Sequence, residues 1–100
     1  MEKNNTITLE LSKKNTCLAG NRFGNDIFTN QIADKMNYSE LNVIILPDHI
    51  EDIASSFIEG LYENVTEKYG KVEALDIMQL VSNNSEAQEK INDCIETFGV

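Results

Sequence analysis

Leu41-Asn42-Val43-Ile44-Ile45-Leu46 is the stretch that decides the fold of this 100-residue sequence. The run is almost continuously apolar, rich in β-branched side chains, and ended by Pro47-Asp48. Such a run is typical of a strand that is covered on both faces of its sheet. We therefore expect residues 41–46 to form the most buried strand of the protein.

Three further strands are predicted, two before this run and one after it. Residues 6–11 alternate apolar and polar side chains, which is the period of a half-buried strand. Residues 17–19 are short and apolar, and they favour a second, edge-like strand. Residues 74–81 are expected to form the last strand, after a short turn.

Three amphipathic helices are predicted from apolar side chains that recur every three or four residues. They cover residues 25–36, 56–69 and 85–98. Asn25 or Asp26 is expected to cap the first helix. Gly70 is expected to end the second helix, and the third is expected to open with a capping box at Ser85 and to end at Gly99.

The alternation of strands with helices predicts an α/β fold class. We expect a single domain over residues 1–100, with one small mixed or parallel sheet of about four strands and about three helices. A chain of 100 residues is long enough for one hydrophobic core. The shares of hydrophobic and charged residues, 41% and 25%, favour a folded chain over a disordered one.

The chain is acidic, with 17 Asp and Glu residues, 8 Lys and Arg residues and a formal net charge of −9. Because no run of Lys or Arg is available to neutralise phosphates, direct nucleic-acid binding is not expected. No stretch approaches the roughly 18 apolar residues of a membrane helix, so no membrane partner is expected. The first residues lack the apolar core of a signal peptide, and the two cysteines lack a metal-like spacing. These features predict a cytoplasmic protein.

The sequence contains few of the residues and motifs that commonly serve in catalysis. His49 is the only histidine, and no glycine-rich phosphate-binding motif is present. We therefore expect no enzymatic activity, no catalytic residue, no cofactor and no metal site. The acidic loop over residues 48–52 is interpreted as a solvated loop that leads into a helix, with a hard cation on its carboxylates as the alternative. Cys94, on the apolar side of the last helix, is interpreted as a small hydrophobic residue.

The segment Ser55-Ser56-Phe57-Ile58-Glu59 carries most of the functional information. Ser56 and Glu59 fit a capping box, which would place Ser55 one residue outside the helix, near its positive end. A phosphate on Ser55 would interact favourably with the helix dipole and with free amides, and it would add about −1.5 to −2 charge. The plainer interpretation is that two serines simply start a helix.

Residues 43–57 resemble the core of the STAS family, in which a buried strand leads through a short loop into a serine-containing turn and a helix. They look closest to the STAS-like branch, where Phe commonly follows the serines. Further matches are Asn21-Arg22-Phe23-Gly24, Gly60-Leu61 and Leu80-Val81-Ser82. The resemblance covers about residues 18–98.

This resemblance implies a non-enzymatic signalling module, similar to anti-anti-sigma factors, whose partner is a histidine-kinase-like ATPase or a serine kinase. By position, Ser55 corresponds to the serine that is phosphorylated in those regulators. The implied partner-binding surface comprises Asp52, Ser55, Ser56, Glu59 and Arg22. Ala54 stands where the regulators carry Asp, and Phe57 stands where they carry Gly. Whether Ser55 is phosphorylated therefore stays open at this point.

An acidic inhibitor or nucleic-acid mimic, which blocks a basic groove on a target enzyme, is the alternative function. Glu59, Glu63 and Glu67 repeat every four residues along one face of the predicted second helix. Such a stripe would attract a basic partner surface. The sequence does not set the oligomeric state or the identity of the partner.

Overall fold

Five strands and four α-helices lie within residues 4–98, which are the residues that the structure, a computed structural model, describes. The strands are β1 (Asn4–Thr8), β2 (Cys17–Leu18), β3 (Leu41–Leu46), β4 (Asp52–Ile53) and β5 (Met78–Ser82). The helices are α1 (Asn21–Ile27), α2 (Ser55–Tyr69), α3 (Lys71–Ile77) and α4 (Ser85–Phe98). A π-helical turn (Phe28–Ile32) and a 3₁₀ turn (Ala33–Lys35) continue α1. The predicted α/β fold class is confirmed.

The strands form two parallel sheets. In the larger sheet β3 lies between β1 and β5, and Ile44 is aligned with Ile7 on one side and with Leu80 on the other. The smaller sheet pairs β2 with β4, through Cys17 opposite Asp52. One sheet of about four strands was expected, whereas five strands are divided between two sheets. Strand β4 was not predicted, because it is only two residues long and has no periodicity to detect.

Burial alternates along β3, although its sequence is almost continuously apolar. Ile44 and Leu46 are fully buried in the core, whereas Val43 and Ile45 on the other face are only partly buried. The expectation that this strand is covered on both faces is therefore wrong. The helices contribute to a core on one side of the sheet, in which the α2 side chains Phe57 and Leu61 are completely buried.

Asn42 is the one polar residue among the fully buried side chains of the described chain. Its Oδ1 accepts hydrogen bonds from Asn5 Nδ2 at 2.7 Å and from the Asn37 amide at 2.9 Å. Its Nδ2 lies within donating distance of the carbonyl oxygens of Asn37, Glu40 and Ile77. The side chain thus joins β1, the loop before β3 and the end of α3, and all of its polar atoms have partners.

Helices α1 and α2 pack with their backbones in contact. A Cβ atom on Gly24 would overlap the carbonyl oxygen of Phe57, and a Cβ atom on Gly60 would overlap the carbonyl oxygen of Asn21. Only glycine allows backbones to approach this closely. Both glycines fall within segments that carry the family resemblance, and the structure gives a physical reason for them.

The first helix starts earlier than predicted. It begins at Asn21, after Gly20 in a conformation with φ of +99°, and it turns π-helical at Phe28. Asn25 lies inside the helix, where its side-chain amide donates to Glu63 Oε2 at 2.9 Å. The prediction of a cap at Asn25 or Asp26 is therefore wrong, because the glycine turn supplies the start.

The segment after Gly70 also differs from its prediction. Residues 74–77 belong to α3, and the strand begins only at Met78, because Ala74 and Leu75 pack as one short helical turn against the core. Gly70 does end α2, with a positive φ of 88°.

The bounds predicted for the last helix agree with α4, but its predicted cap does not. Asn84 Oδ1 accepts from the amides of Glu86 at 3.1 Å and Ala87 at 3.3 Å, so Asn84 caps this helix in place of Ser85. Gly99, which was expected to end α4, lies outside the described residues.

Replacing the glycine at the helix crossing should destabilise the protein. We expect Gly60→Ala to lower the free energy of unfolding by about 3 kcal/mol, because a methyl group there overlaps the α1 backbone. Alanine normally stabilises a helix interior relative to glycine by about 1 kcal/mol. Urea denaturation followed by circular dichroism measures the change, and Asn64→Ala on the exposed side of α2 is the control. A stabilised Gly60→Ala variant would show that the helices do not meet at this glycine.

The Asn42 network makes a second prediction. Asn42→Val should lower the free energy of unfolding by about 3 kcal/mol, because one backbone amide, one side-chain amide and three carbonyl oxygens lose this partner in a partly buried setting. The matched control is Asn37→Ala, which keeps the backbone groups that bind Asn42 and should cost less than about 1 kcal/mol. Equal losses for the two variants in urea denaturation would contradict this account.

Candidate functional site

The corner where β4 leads into α2 contains both candidate serines, and it uses them differently. Ser55 is the first residue of α2 and is exposed. Ser56 is partly buried, and its Oγ accepts a hydrogen bond from the Gly20 amide at 2.9 Å. The predicted capping box of Ser56 with Glu59 is wrong, and Ser55 lies inside the helix instead of one residue before it. The reason is that Ala54, whose side chain has no acceptor, holds the N-cap position, while the Ser56 hydroxyl binds the start of α1.

The amino terminus of α2 therefore keeps free amides. Ala54 precedes the helix in an extended conformation with no side-chain cap, and the first turn has no acidic residue. The Phe57 amide donates a hydrogen bond to the Ala54 carbonyl oxygen at 3.1 Å, whereas the amides of Ser55 and Ser56 have no acceptor among residues 4–98. By contrast, α4 begins with the Asn84 cap and an acidic first turn. The positive end of the α2 dipole is thus left uncompensated.

A cavity of about 280 Å³ adjoins this corner, between the start of α2 and the end of α4. Its walls are formed by Ser55, Glu59, Lys71, Cys94, Thr97 and Phe98. The Lys71 ammonium lies over the Phe98 ring, 5.5 Å from the ring centroid. A hydroxyl, a carboxylate and an ammonium group therefore border one concave surface, and the predicted residues Ser55 and Glu59 share it.

Cys94 is not an activated nucleophile at this cavity. Burial raises the pKa of its thiol, and the neighbouring Asp93 carboxylate raises the pKa further. Its Sγ lies 3.9 Å from the Ile53 carbonyl oxygen, with the side chain partly buried. A protonated thiol in this setting packs as a small hydrophobic group, as the sequence indicated.

Nearer the start of α4, carboxylates surround a larger concavity of about 480 Å³. Its lining consists of Glu51, Asp52, Glu86, Glu89, Lys90 and Asp93. Lys90 Nζ lies 3.9 Å from Asp52 Oδ1, but both side chains are more than half exposed, so this pair contributes little stability. Five carboxylates and one ammonium group give the concavity a negative potential. This surface could not be predicted from the sequence, because its residues come from two segments more than 30 positions apart.

The predicted glutamate stripe on α2 is interrupted at its centre. Glu59 and Glu67 are exposed, but Glu63 is partly buried and accepts from Asn25 Nδ2 of α1. Glu63 therefore joins the two helices. The concavity beside α4, with its five carboxylates, therefore groups acidic side chains more closely than the α2 stripe does.

Arg22 is exposed on α1 and has no ion pair among the residues that the structure describes. It lies two positions after Gly20, whose amide binds Ser56 across the corner. The fold thus brings the starts of α1 and α2 together. Within residues 4–98, no hydrogen bond or ion pair joins Arg22 to Ser55 or Glu59.

The acidic loop before β4 is tied to the chain through its histidine. His49 Nε2 lies 2.8 Å from the Ser12 carbonyl oxygen.

Within residues 4–98, no group of three or more His, Cys, Asp or Glu side chains is arranged to hold a metal ion. Over the same residues, every helix is too short or too polar to cross a membrane.

Comparison of the chain with protein-family models, with curated proteins and with solved structures finds no match.

The different use of the two serines makes a direct prediction. Ser56→Ala should lower the free energy of unfolding by about 1 kcal/mol, because it leaves the Gly20 amide without its acceptor. Ser55→Ala should change stability by less than about 0.5 kcal/mol, because no hydrogen bond within residues 4–98 uses its hydroxyl. Thermal and urea denaturation of the matched pair measure both values. A larger loss for Ser55→Ala would contradict the assignment of the structural role to Ser56.

Proposed function

We propose that this chain is a non-enzymatic, cytoplasmic regulatory module of the STAS-like type, which binds a histidine-kinase-like ATPase or serine kinase and is switched by phosphorylation of Ser55. The observation that carries the proposal is the availability of Ser55. Its side chain is exposed, no hydrogen bond within residues 4–98 uses its hydroxyl, and it stands at an uncapped helix start.

A phosphate on Ser55 would change this surface strongly. The free amides at the start of α2 and the Lys71 ammonium across the cavity would attract it. Glu59, one turn along α2, would repel it. The modification would therefore convert a mixed surface into a more acidic one without removing a contact of the core. A partner that presents carboxylates to this corner would lose affinity.

Ala54 and Phe57 differ from the Asp and Gly that the anti-anti-sigma regulators carry at the corresponding positions, and the surroundings of both residues bear on this difference. Phe57 is completely buried, and its ring packs on Phe23 with the centroids 5.6 Å apart. The Ala54 amide donates to the Leu18 carbonyl oxygen at 2.8 Å. A kinase that acts on Ser55 would therefore recognise the exposed side chains around the corner, among them Asp52 and Glu59, and not residue 57.

Affinity purification from the native host tests the proposal, with mass spectrometry of the bound proteins and of the peptide that contains Ser55. We expect an ATPase or kinase to be recovered with wild type and with Ser55→Ala, and to be lost with Ser55→Asp. The matched control is Ser85→Asp, because Ser85 is also an exposed first residue of a helix and the substitution adds the same charge. Equal recovery with Ser55→Asp and Ser55→Ala would contradict the switch.

The acidic concavity around α4 favours a second candidate function, an acidic inhibitor that blocks a basic groove on a target enzyme. In that case binding would fall steeply with salt concentration. It would also weaken in Glu89→Lys and survive every substitution of Ser55. Binding that is indifferent to salt and to Glu89→Lys would exclude this function.

A further inference from the structure

Strand β1 forms one edge of the larger sheet, and the register shows which of its groups face outward. The Leu9 amide, just beyond the strand, donates to the Ile45 carbonyl oxygen of β3 at 2.9 Å. Alternate residues of a parallel strand bond to the same neighbour. The backbone groups of Asn5 and Ile7 therefore face β3, whereas those of Asn4, Thr6 and Thr8 face away from the sheet.

The opposite edge of the same sheet, strand β5, is blocked by side chains at both of its ends. The Tyr62 hydroxyl donates to the Met78 carbonyl oxygen at 2.7 Å, and Gln88 Oε1 accepts from the Ser82 amide at 2.7 Å. Burial raises the pKa of the Tyr62 phenol, so this group remains a donor. Such blocking is how proteins prevent another strand from adding to an edge.

Within the described residues, side chains block the β1 edge at one point, just beyond the end of the strand. Gln31 Oε1 accepts from the Glu10 amide at 2.7 Å, and Gln31 Nε2 donates to the Glu10 carbonyl oxygen at 2.8 Å. Over residues 4–98, no group bonds to the outward amide or carbonyl of Thr6 or Thr8. Both side chains are exposed. Free pairing groups therefore extend along β1 and stop at Glu10.

We propose that this edge pairs with the same edge of a second copy of the chain. An antiparallel arrangement centred on Thr6 places Thr6 opposite its equivalent and Asn4 opposite Thr8 of the partner. All three outward residues of each copy then form backbone hydrogen bonds. The pairing ends at Glu10, whose backbone amide and carbonyl are already bonded to the Gln31 side chain. The result is a continuous sheet of six strands.

The chemistry of the edge favours a second copy as the occupant. The net charge of −9 on each chain opposes association, so two copies need a contact that adds no like charges of its own. Residues 4–8 contain only Asn, Thr and Ile. A basic partner would find no complementary charge on this edge, whereas threonine pairs across antiparallel strands are favourable.

Sedimentation equilibrium of the whole chain, from micromolar to millimolar concentration, tests the proposal. We expect wild type to dimerise as concentration rises. Thr6→Pro should be monomeric, because it removes an outward amide while leaving every bond to β3 in place. Thr6→Val, which keeps the amide, should dimerise as wild type does. A wild type that stays monomeric, or a folded Thr6→Pro variant that dimerises equally, overturns the proposal.

Amide hydrogen exchange of the wild type decides the question even if Thr6→Pro does not fold. The Thr6 and Thr8 amides should become at least tenfold more protected as dimer forms. The Leu9 amide, which is bonded to β3 in each copy, is the internal reference. Protection at Thr6 and Thr8 that does not change with concentration overturns the proposal.

Discussion

The contact between the backbones of α1 and α2, at Gly24 and Gly60, is the constraint on which the rest of the structure depends. It brings the start of α1 against the first turn of α2, so that the Gly20 amide reaches Ser56 Oγ. It also allows Asn25 to bind Glu63 across the same interface. Both hydrogen bonds run between segments that this close approach brings together.

The same constraint separates the roles of the neighbouring serines. Ser56 is bonded to the start of α1, whereas Ser55 stands exposed at the start of α2, where the N-cap residue Ala54 provides no side-chain cap. A free hydroxyl beside free amides on a long helix is a position where charge can be added without disturbing the core. The proposed switch therefore follows from how the two helices pack, and not from the serines alone.

The sequence predicted much of this fold, because most of its elements are amphipathic or strongly apolar. The bounds of β3 and α4 followed directly from their apolar patterns. The short strand β4 and the helix α3 were missed, since two residues carry no periodicity and Ala74 to Ile77 read equally well as a strand. The exposure of the second face of β3 could not be predicted either, because a continuous apolar run does not show how many layers cover it.

The candidate site was predicted in part. The Ser55-Ser56 corner was identified from its sequence, but the capping role was given to the wrong partner, because a local motif does not show that Gly20 lies next to Ser56 in space. Lys71 and the acidic concavity were not anticipated, since they depend on how α3 and α4 pack around the corner. Tertiary contacts between distant segments decided each of these points.

The central claim is that a phosphate on Ser55 alters the surface and leaves the fold intact. Amide NMR spectra of the chain with phosphoserine installed at position 55, compared with the unmodified chain, test this most directly. We predict chemical-shift changes confined to the first turn of α2 and to the walls of its cavity around Lys71 and Thr97. Changes that extend through Gly24 and Gly60 into α1, or loss of the folded spectrum, would contradict the claim.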